Sequence, residues 1–265
     1  MQNIISATIA ISAMGLIFGA LLGIAAKVFY VEQDEKLPLV TDALPGANCG
    51  GCGYAGCAQC ASAIIEGKAK ANVCPVGGAE TAKIISNILG QEAETFEKKV
   101  AFVRCEGCSD VAQIKFQYDG NLDCVSAARM IGGGYKACSN GCLGYGSCVS
   151  VCNFGAIKVE NGIAKVDFHK CTACGKCVAA CPKNLITLVS PSNQYVVKCR
   201  NTDKGAVVKD KCKAGCIGCK LCERNCPEQA VTVDNFLASI QSEKCVGCGI
   251  CAEKCPKKII QKVNV

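Results

Sequence analysis

Aromatic residues are scarce in this chain of 265 residues, which contains 8 Phe, 6 Tyr and no Trp. So few large side chains cannot by themselves fill the interior of one or two ordinary domains. No basic run with interleaved aromatic residues is present, so nothing indicates a nucleic-acid partner. No G-x-G-x-x-G segment follows a predicted strand, which argues against a nucleotide or flavin site. The one histidine, His169, is interpreted as a surface or packing residue.

Cysteine is abundant instead, with 26 in the chain. A cysteine content near a tenth is typical of disulfide scaffolds, but that rule concerns short secreted proteins. Here the cysteines stand in repeated triplets, too close together for pairwise bridging, and this favours metal centres in a reducing compartment. The formal charge of +7 would become about −3 with five iron–sulfur clusters bound, because the thiolates add more negative charge than the iron returns.

Two runs of the form C-x2-C-x2-C-x3-C-P stand near the C-terminus. Their cysteines are Cys216, Cys219, Cys222 and Cys226, followed by Cys245, Cys248, Cys251 and Cys255. In bacterial ferredoxins three closely spaced thiolates hold one 4Fe–4S cluster and the fourth ligates the other cluster. The spacing therefore predicts that Cys226 ligates the cluster held by the second run and that Cys255 ligates the cluster held by the first. Zinc takes its four ligands from two C-x2-C pairs, so a third cysteine at the same spacing would be surplus.

A shift of 74 positions maps most of this pattern onto an earlier segment, which indicates a duplicated unit. The earlier cysteines are Cys142, Cys148, Cys152, Cys171, Cys174, Cys177 and Cys181. Hairpins are predicted in both copies, over 156–160 with 163–167 around Asn161-Gly162, and over 230–234 with 236–241 around Asn235. Each copy is expected to be a ferredoxin-like unit with two clusters.

The repeat breaks at one ligand, because Tyr145 stands where the second copy has Cys219. We expect Cys138, four positions before Cys142, to replace it. If Cys138 does not reach, three ligands remain and the site would hold a three-iron cluster. Apart from Cys60, five cysteines then stand outside the motifs: Cys105, Cys108, Cys124, Cys199 and Cys212. They are enough for a sixth cluster, or they are inert thiols, and the sequence leaves both interpretations open.

The N-terminal segment has the length and composition of a membrane span. Residues 4–26 carry no charge, and Lys27 follows them. A secretory signal would place Lys or Arg before a shorter apolar core, and none precedes Ile4. Because Lys27, Lys36 and the cysteine-rich body all follow the span, we expect one crossing of the cytoplasmic membrane with the cluster domains on the cytoplasmic side.

A further cysteine pattern, C-x2-C-x4-C-x16-C, follows the span. It consists of Cys49, Cys52, Cys57 and Cys74. The glycines between them permit the positive φ angles that a loop around a cluster requires. Helices are predicted over 58–71 and over 79–89, the second ending at Gly90. Cys60 falls outside the pattern and is interpreted as a packed thiol.

The sequence thus predicts an α+β protein with a single N-terminal transmembrane helix, a small helical 4Fe–4S module and two tandem ferredoxin-like double-cluster units. The predicted boundaries are 1–27 for the anchor, 28–44 for a polar linker, 45–95 for the module, 96–135 for a cysteine-bearing connector, 136–190 for the first unit and 191–265 for the second. Five 4Fe–4S clusters are expected, with the sixth open.

Taken together, the span, the CGGCGYAGC module and the runs CTACGKCVAACP, CIGCKLCERNCP and CVGCGICAEKCP resemble the B subunit of the Rnf complex. The resemblance covers nearly the whole chain. Its most specific part is the span followed by the C-x2-C-x4-C-x16-C module, since ferredoxin runs occur in many unrelated carriers. Two units with a connector make the chain similar to the clostridial or anaerobe type.

The resemblance implies a membrane complex that passes electrons from reduced ferredoxin to NAD+ and moves Na+ or H+ outward. This chain would be an electron relay without catalytic residues, and its partners would be reduced ferredoxin and the other members of the complex. A related complex that keeps a redox-sensing transcription factor reduced has a similar component. An iron–sulfur sensor or assembly scaffold is a further alternative, although a sensor needs few clusters and an output domain.

Overall fold

The first helix matches the predicted anchor. The computed structural model describes residues 2–28, 34–92, 98–120, 123–190 and 195–263, with side chains from residue 11 onward. Helix α1 (Gln2–Val28) has a mean hydropathy of 2.0 over Ile11–Val28, and none of that stretch is buried. Within the described ranges, this is the one helix that is long and apolar enough to cross a membrane.

The predicted polar linker is wrong for its second half, which is a packed helix. Helix α2 (Lys36–Ala43) lies against α3 (Cys57–Ile65) and α4 (Gly78–Leu89). Val40 and Leu44 are buried in this three-helix core. Together with Leu37 they are spaced as one face of a helix, a pattern that the neighbouring charges and Pro38 obscure in the sequence. Residues 29–33 of the linker lie outside the described residues.

The two predicted helices of the module are present. Helix α4 ends where expected, because Gly90 takes the left-handed conformation with φ 72°. Helix α3 is shorter than predicted and ends at Ile65, since Gly67 with φ 70° reverses the chain. Cys60 of α3 and Ile85 of α4 are fully buried in the core that these two helices form with α2.

The rest of the chain forms two equivalent units of short elements. The first contains β1 (Val100–Val103), α5 (Cys124–Ala128), a 3₁₀ turn (Ile131–Gly133), α6 (Ser147–Ser150), β2 (Ile157–Glu160), β3 (Ile163–Val166), α7 (Lys176–Ala180) and β4 (Ile186–Val189). The second contains β5 (Tyr195–Val197), α8 (Gly205–Lys211), α9 (Leu221–Arg224), β6 (Val231–Asp234), β7 (Leu237–Ile240), α10 (Ile250–Glu253) and β8 (Ile260–Lys262). Each unit has two antiparallel pairs, β1–β4 with β2–β3 and β5–β8 with β6–β7.

Both predicted hairpins are confirmed. β2 and β3 are joined by Asn161 and Gly162, whose φ angles are 49° and 72°. β6 and β7 are joined by Asn235 and Phe236, with φ 46° and 61°. Two left-handed residues in succession give a turn whose twist suits an antiparallel hairpin.

The predicted connector is wrong at its start, because β1 is the first strand of the first unit. It pairs with β4 as β5 pairs with β8. Its four residues are all buried: Ala101 and Val103 face the core of the first unit, whereas Val100 and Phe102 pack against Val263 and Val196 of the second.

The two units differ in length after this strand. Cys105 and Cys138 are 33 positions apart, whereas the equivalent Cys199 and Cys212 are 13 positions apart. The first unit therefore carries an insertion, and α5 lies within it.

Candidate iron–sulfur centres

Three groups of four cysteines lie together as the spacing predicts. Each lines a cavity of about 310–350 Å³. We call them site A (Cys152, Cys171, Cys174, Cys177), site C (Cys216, Cys219, Cys222, Cys255) and site D (Cys226, Cys245, Cys248, Cys251). The ferredoxin-type exchange is present in the second unit, where Cys226 belongs to site D and Cys255 to site C.

The three C-x2-C-x2-C loops share one backbone conformation with the equivalent loop that has Tyr145 at its middle position. The residues on either side of the middle position have positive φ: Gly144 and Gly146, Ala173 and Gly175, Gly218 and Lys220, Gly247 and Gly249. These two left-handed residues curl the chain so that three side chains point to one side. Ala173 and Lys220 adopt this conformation despite their Cβ atoms, at a cost of about 1–2 kcal/mol each.

The fourth cysteine of the remaining site in the first unit is not Cys138. Site B is a cavity of about 360 Å³ lined by Cys124, Cys142, Cys148 and Cys181. Cys124 comes from the insertion, and it lines site B as Cys219 lines site C. Contrary to the expectation, Cys124 and not Cys138 lies beside Cys142, Cys148 and Cys181, and it comes from a different part of the chain than Tyr145.

Local hydrogen bonds hold Cys124 in place. Asp123 caps α5 by accepting hydrogen bonds from the N–H groups of Val125 and Ser126 at 2.9 and 2.8 Å. The N–H of Cys124 donates to Oγ of Ser147 at 2.9 Å, which sets it beside Cys148.

Tyr145 itself packs between two other tyrosines of the first unit. The centroid of its ring lies 5.4 Å from those of both Tyr118 and Tyr135. The position of the missing ligand is thus filled by an aromatic cluster. The sequence signal for Cys124 is the insertion itself, because the segment between Cys105 and Cys138 contains two cysteines outside every motif, Cys108 and Cys124.

Cys138 lies instead in a cavity between the two units, which we call the seam site. The cavity measures about 390 Å³ and is lined by Cys105 and Cys138 from the first unit and by Cys199 and Cys212 from the second. Cys105 and Cys199 follow β1 and β5, so they are equivalent, as are Cys138 and Cys212. Cys108 lines none of the five cavities and packs at the edge of the first core.

The module site consists of Cys49, Cys52, Cys57 and Cys74. The N–H of Gly77 donates to Sγ of Cys74 at 3.4 Å, and the N–H of Cys57 is fixed by Oδ1 of Asn48 at 2.8 Å. Cys60 is buried next to this group, and burial together with a hydrogen bond to Cys52 raises its pKa to about 12. It therefore remains a protonated thiol, as the sequence indicates.

Backbone N–H groups point at sulfur in the two units as well. Ala101 donates to Cys171 at 3.3 Å, Leu185 to Cys181 at 3.4 Å and Ala230 to Cys226 at 3.3 Å. Such bonds favour the thiolate over the thiol and are one of the means by which a protein tunes an iron–sulfur cluster.

Without iron, the thiols of these sites do not readily lose their protons to become thiolates. Burial raises the pKa of Cys148 to about 12 and those of Cys177, Cys222 and Cys251 to about 11. At neutral pH they keep their protons unless a metal replaces them, so loading the sites releases protons.

The spacing of the ligands fits a cluster better than a single ion. Among the described residues, no three Cys, His, Asp or Glu side chains converge closely enough to share one metal ion. Zinc with bonds to sulfur of about 2.3 Å would draw four cysteines together. Cysteines too far apart to share one ion are instead suited to bind the separate iron atoms of a polynuclear iron–sulfur core.

The six sites follow one another through direct contacts. The module touches site A, because a Cβ on Gly51 would lie 2.8 Å from the carbonyl oxygen of Cys174. Sites A and B share the core of the first unit, and sites C and D share that of the second. The seam site joins the units, since the N–H of Cys142 donates to Sγ of Cys105 at 3.4 Å and that of Cys216 to Sγ of Cys199 at 3.3 Å.

A series of cysteine-lined sites in contact, without an acid–base or nucleophilic constellation, defines a multi-centre iron–sulfur electron carrier. Three family descriptions match: "Putative Fe-S cluster" over residues 44–76, "4Fe-4S binding domain" over 164–187 and "4Fe-4S dicluster domain" over 215–259.

Whole-chain relatives give a narrower assignment. The B subunit of the Na(+)-translocating ferredoxin:NAD(+) oxidoreductase complex of Acetobacterium woodii is 48% identical over 88% of this chain and 70% of its own. The B subunit of the ion-translocating oxidoreductase complex of Methanosarcina acetivorans is 46% identical over 92% and 93%. The B subunit of the proton-translocating ferredoxin:NAD(+) oxidoreductase complex of Clostridium ljungdahlii is 39% identical over 91% and 85%. The chain belongs to the family of B subunits of these ion-translocating oxidoreductase complexes, and the resemblance to the Rnf family is confirmed.

Proposed function

We propose that this chain is the membrane-anchored electron relay that accepts electrons from reduced ferredoxin and passes them to partner subunits that reduce NAD+ and move Na+ or H+. The observation that carries the proposal is the unbroken order of the sites, from site D through C, the seam, B and A to the module. The relatives whose names contain Na(+) and proton translocation are 48% and 39% identical to this chain, and membership of their shared family does not select one of the two ions.

Five sites hold 4Fe–4S clusters in this proposal: the module site, A, B, C and D. When bound, each cluster accepts and returns one electron without forming or breaking a bond to a substrate. The chain supplies four thiolates per site, N–H donors to sulfur, and apolar surroundings that keep water away. In site B the fourth thiolate is that of Cys124.

Electron uptake takes place at the second unit. All 26 cysteines fall within the described ranges, and the two that are exposed are Cys219 of site C and Cys248 of site D. Val246, beside Cys248, is 62% exposed and offers an apolar contact. Lys220, Lys244 and Lys254 are exposed next to these loops and would attract a negatively charged carrier.

Electrons leave through the module, which follows the anchor in the chain. Helix α1 crosses the cytoplasmic membrane once, with all the sites on the cytoplasmic side. This orientation agrees with Lys27 at the end of the apolar stretch and with free thiols throughout. The module then lies close to the membrane subunits to which it delivers electrons.

The test uses the full chain, purified in detergent without oxygen, with the visible absorbance of its clusters followed after mixing. Reduced ferredoxin should bleach it rapidly, whereas NADH alone should not. Lys244→Glu should slow bleaching by ferredoxin several-fold at low salt, because it reverses a charge beside site D. Lys165→Glu is the matched control, since it reverses an exposed charge on β3 of the first unit and should leave the rate unchanged.

Direct bleaching by NADH, or no response to ferredoxin in iron-loaded chain, would overturn the assigned direction. Equal slowing by both lysine variants would show that electron uptake does not take place at site D.

A further inference from the structure

The seam site has the same features as the sites that match known 4Fe–4S domains, although its cysteines lie outside every matched range. Its cavity of about 390 Å³ is at least as large as those of sites C and D, at about 350 and 320 Å³. Cys105, Cys199 and Cys212 are buried. Four cysteines from two units therefore converge on a space suited to a cluster.

Hydrogen bonds to sulfur are also present at the seam. Besides the N–H groups of Cys142 and Cys216, Asn201 donates twice: its backbone N–H to Sγ of Cys199 and its Nδ2 to Sγ of Cys138, both at 3.5 Å. Asn201 is 2% exposed and thus connects a seam cysteine of each unit. Inert thiols would not require donors directed at their sulfur atoms.

Positive charge surrounds this cavity more densely than the other four. Its lining contains Arg104, Lys136, Lys198 and Arg200, against one carboxylate, that of Glu106. Lys198 forms an ion pair with Glu106, which leaves three cations without a carboxylate in the lining. Burial and the neighbouring Arg200 lower the pKa of Arg104, as expected where positive charges crowd together.

Lys136 is the most informative of these cations. It is 1% exposed, and its Nζ donates to the carbonyl oxygens of Gly107 at 2.9 Å and Gly162 at 2.8 Å. Within the described part of the chain it forms no ion pair with a carboxylate. A buried ammonium group without a counter-charge is costly. Four thiolates around a cubane carry a net charge of about −2 when oxidised and about −3 when reduced, which would supply that counter-charge.

We propose that Cys105, Cys138, Cys199 and Cys212 hold a sixth 4Fe–4S cluster, that this cluster carries electrons from the second unit to the first, and that the surrounding cations make it the first of the six to be reduced. The transfer is a one-electron exchange: the cluster at site C is oxidised as the seam cluster is reduced, and the seam cluster is then oxidised as site B is reduced. No proton is transferred, and no covalent bond forms or breaks. The direction rests on the proposed function, whereas the presence of the cluster does not.

The first test counts metal in the full chain, reconstituted without oxygen. We expect about 24 iron atoms per chain, and about 20 to 23 in Cys199→Ala, where the three remaining thiolates hold either no cluster or a three-iron cluster. Cys108→Ala removes a neighbouring thiol that lines none of the cavities and should retain about 24. A wild-type count of about 20, or a bound zinc that is lost in Cys199→Ala, would overturn the proposal.

The second test does not depend on whether Cys199→Ala folds. In a redox titration followed by electron paramagnetic resonance, one signal of the wild-type chain should develop before the others. Lys136→Met should shift that signal to a lower potential, because a buried positive charge stabilises the reduced cluster. Lys165→Met, which removes an exposed charge of the same sign, should leave it in place.

An unshifted first signal in Lys136→Met would contradict the assignment of that signal to the seam. Neither test uses ferredoxin, so the two proposals can fail separately. If the seam cluster is present but ferredoxin does not reduce the chain, the proposed function is refuted and the seam cluster is not.

Discussion

Tyr145 stands at the middle of a loop that has the backbone conformation of the other cluster loops but one cysteine fewer. Gly144 and Gly146 on either side have φ angles of 72° and 78°, close to those of Gly218 and Lys220 around Cys219. The loop therefore still presents Cys142 and Cys148 correctly. Cys124 is the fourth cysteine that lines site B, and it reaches the site across space rather than along the loop.

This arrangement predicts a rescue at the level of single residues. Cys124→Ala should leave site B with three ligands and produce the paramagnetic signal of an oxidised three-iron cluster. The double variant Cys124→Ala/Tyr145→Cys should abolish that signal, because position 145 has the backbone conformation of a ligand position. Electron paramagnetic resonance of the air-free, oxidised protein provides the measurement. Cys60→Ala, which removes a buried thiol outside the ligand set, serves as the control. A double variant that keeps the three-iron signal would refute the role of Cys124.

Ligands inside a repeated run could be predicted from the sequence, but ligands outside it could not. Sites A, C and D follow from spacing alone, because each loop delivers three thiolates by local geometry. Cys138 and Cys124 both stand outside the loop of site B, and nearness in sequence favours Cys138. Only the fold shows that Cys138 faces the second unit and that the insertion returns Cys124 to site B.

At the scale of elements, the same limitation applies to α2 and β1. Both are short, and their packing partners lie far away in the sequence: α2 contacts α3 and α4, and β1 pairs with β4 across more than 80 residues. The hairpins β2–β3 and β6–β7 were predictable because Asn161-Gly162 and Asn235 define local turns. Strands that pair at long range have no such signal.

The contact of the module with site A makes a testable prediction about Gly51. A Cβ there would lie 2.8 and 2.9 Å from the carbonyl oxygen and Cα of Cys174, and backbone atoms cannot move aside easily. Gly51→Ala should therefore push the module away from the first unit and slow electron transfer between them several-fold. Rapid photoreduction, followed by the spectral change of each site, measures this step.

Ala58→Val is the matched control, because it adds methyl groups at an exposed position of α3 and should leave the rate unchanged. An unaltered rate in Gly51→Ala would mean that the module and site A are not consecutive steps.

At the scale of the whole molecule, cysteines replace the large side chains that an ordinary core would contain. The core of the second unit includes five buried cysteines: Cys199, Cys216, Cys222, Cys251 and Cys255. Without iron these positions surround empty space and contribute little apolar surface. Stability therefore depends on the clusters, as in other small proteins organised around metal.

Removal of iron should accordingly unfold both units together. We expect an anaerobic chelator to abolish the strand signal in circular dichroism while the signal of α1 remains. Reassembly with iron and sulfide should improve from mildly acidic to mildly alkaline pH, because thiols such as Cys148 and Cys177, with pKa values raised by burial, must release protons. Folded units that persist after complete iron removal would disprove this dependence.

The way in which equivalent cysteines meet at the seam limits how further copies of the unit can be added to this protein. Cys105 and Cys138 line one cavity with their equivalents Cys199 and Cys212, so each unit contributes the same two cysteines to the contact. Such an isologous contact is closed, and a third copy of the unit has no surface left for it. A lone unit offers only half a ligand set, which two identical copies would complete as a homodimer. The fused pair is the covalent counterpart of that homodimer, and any longer relative must extend through a different contact.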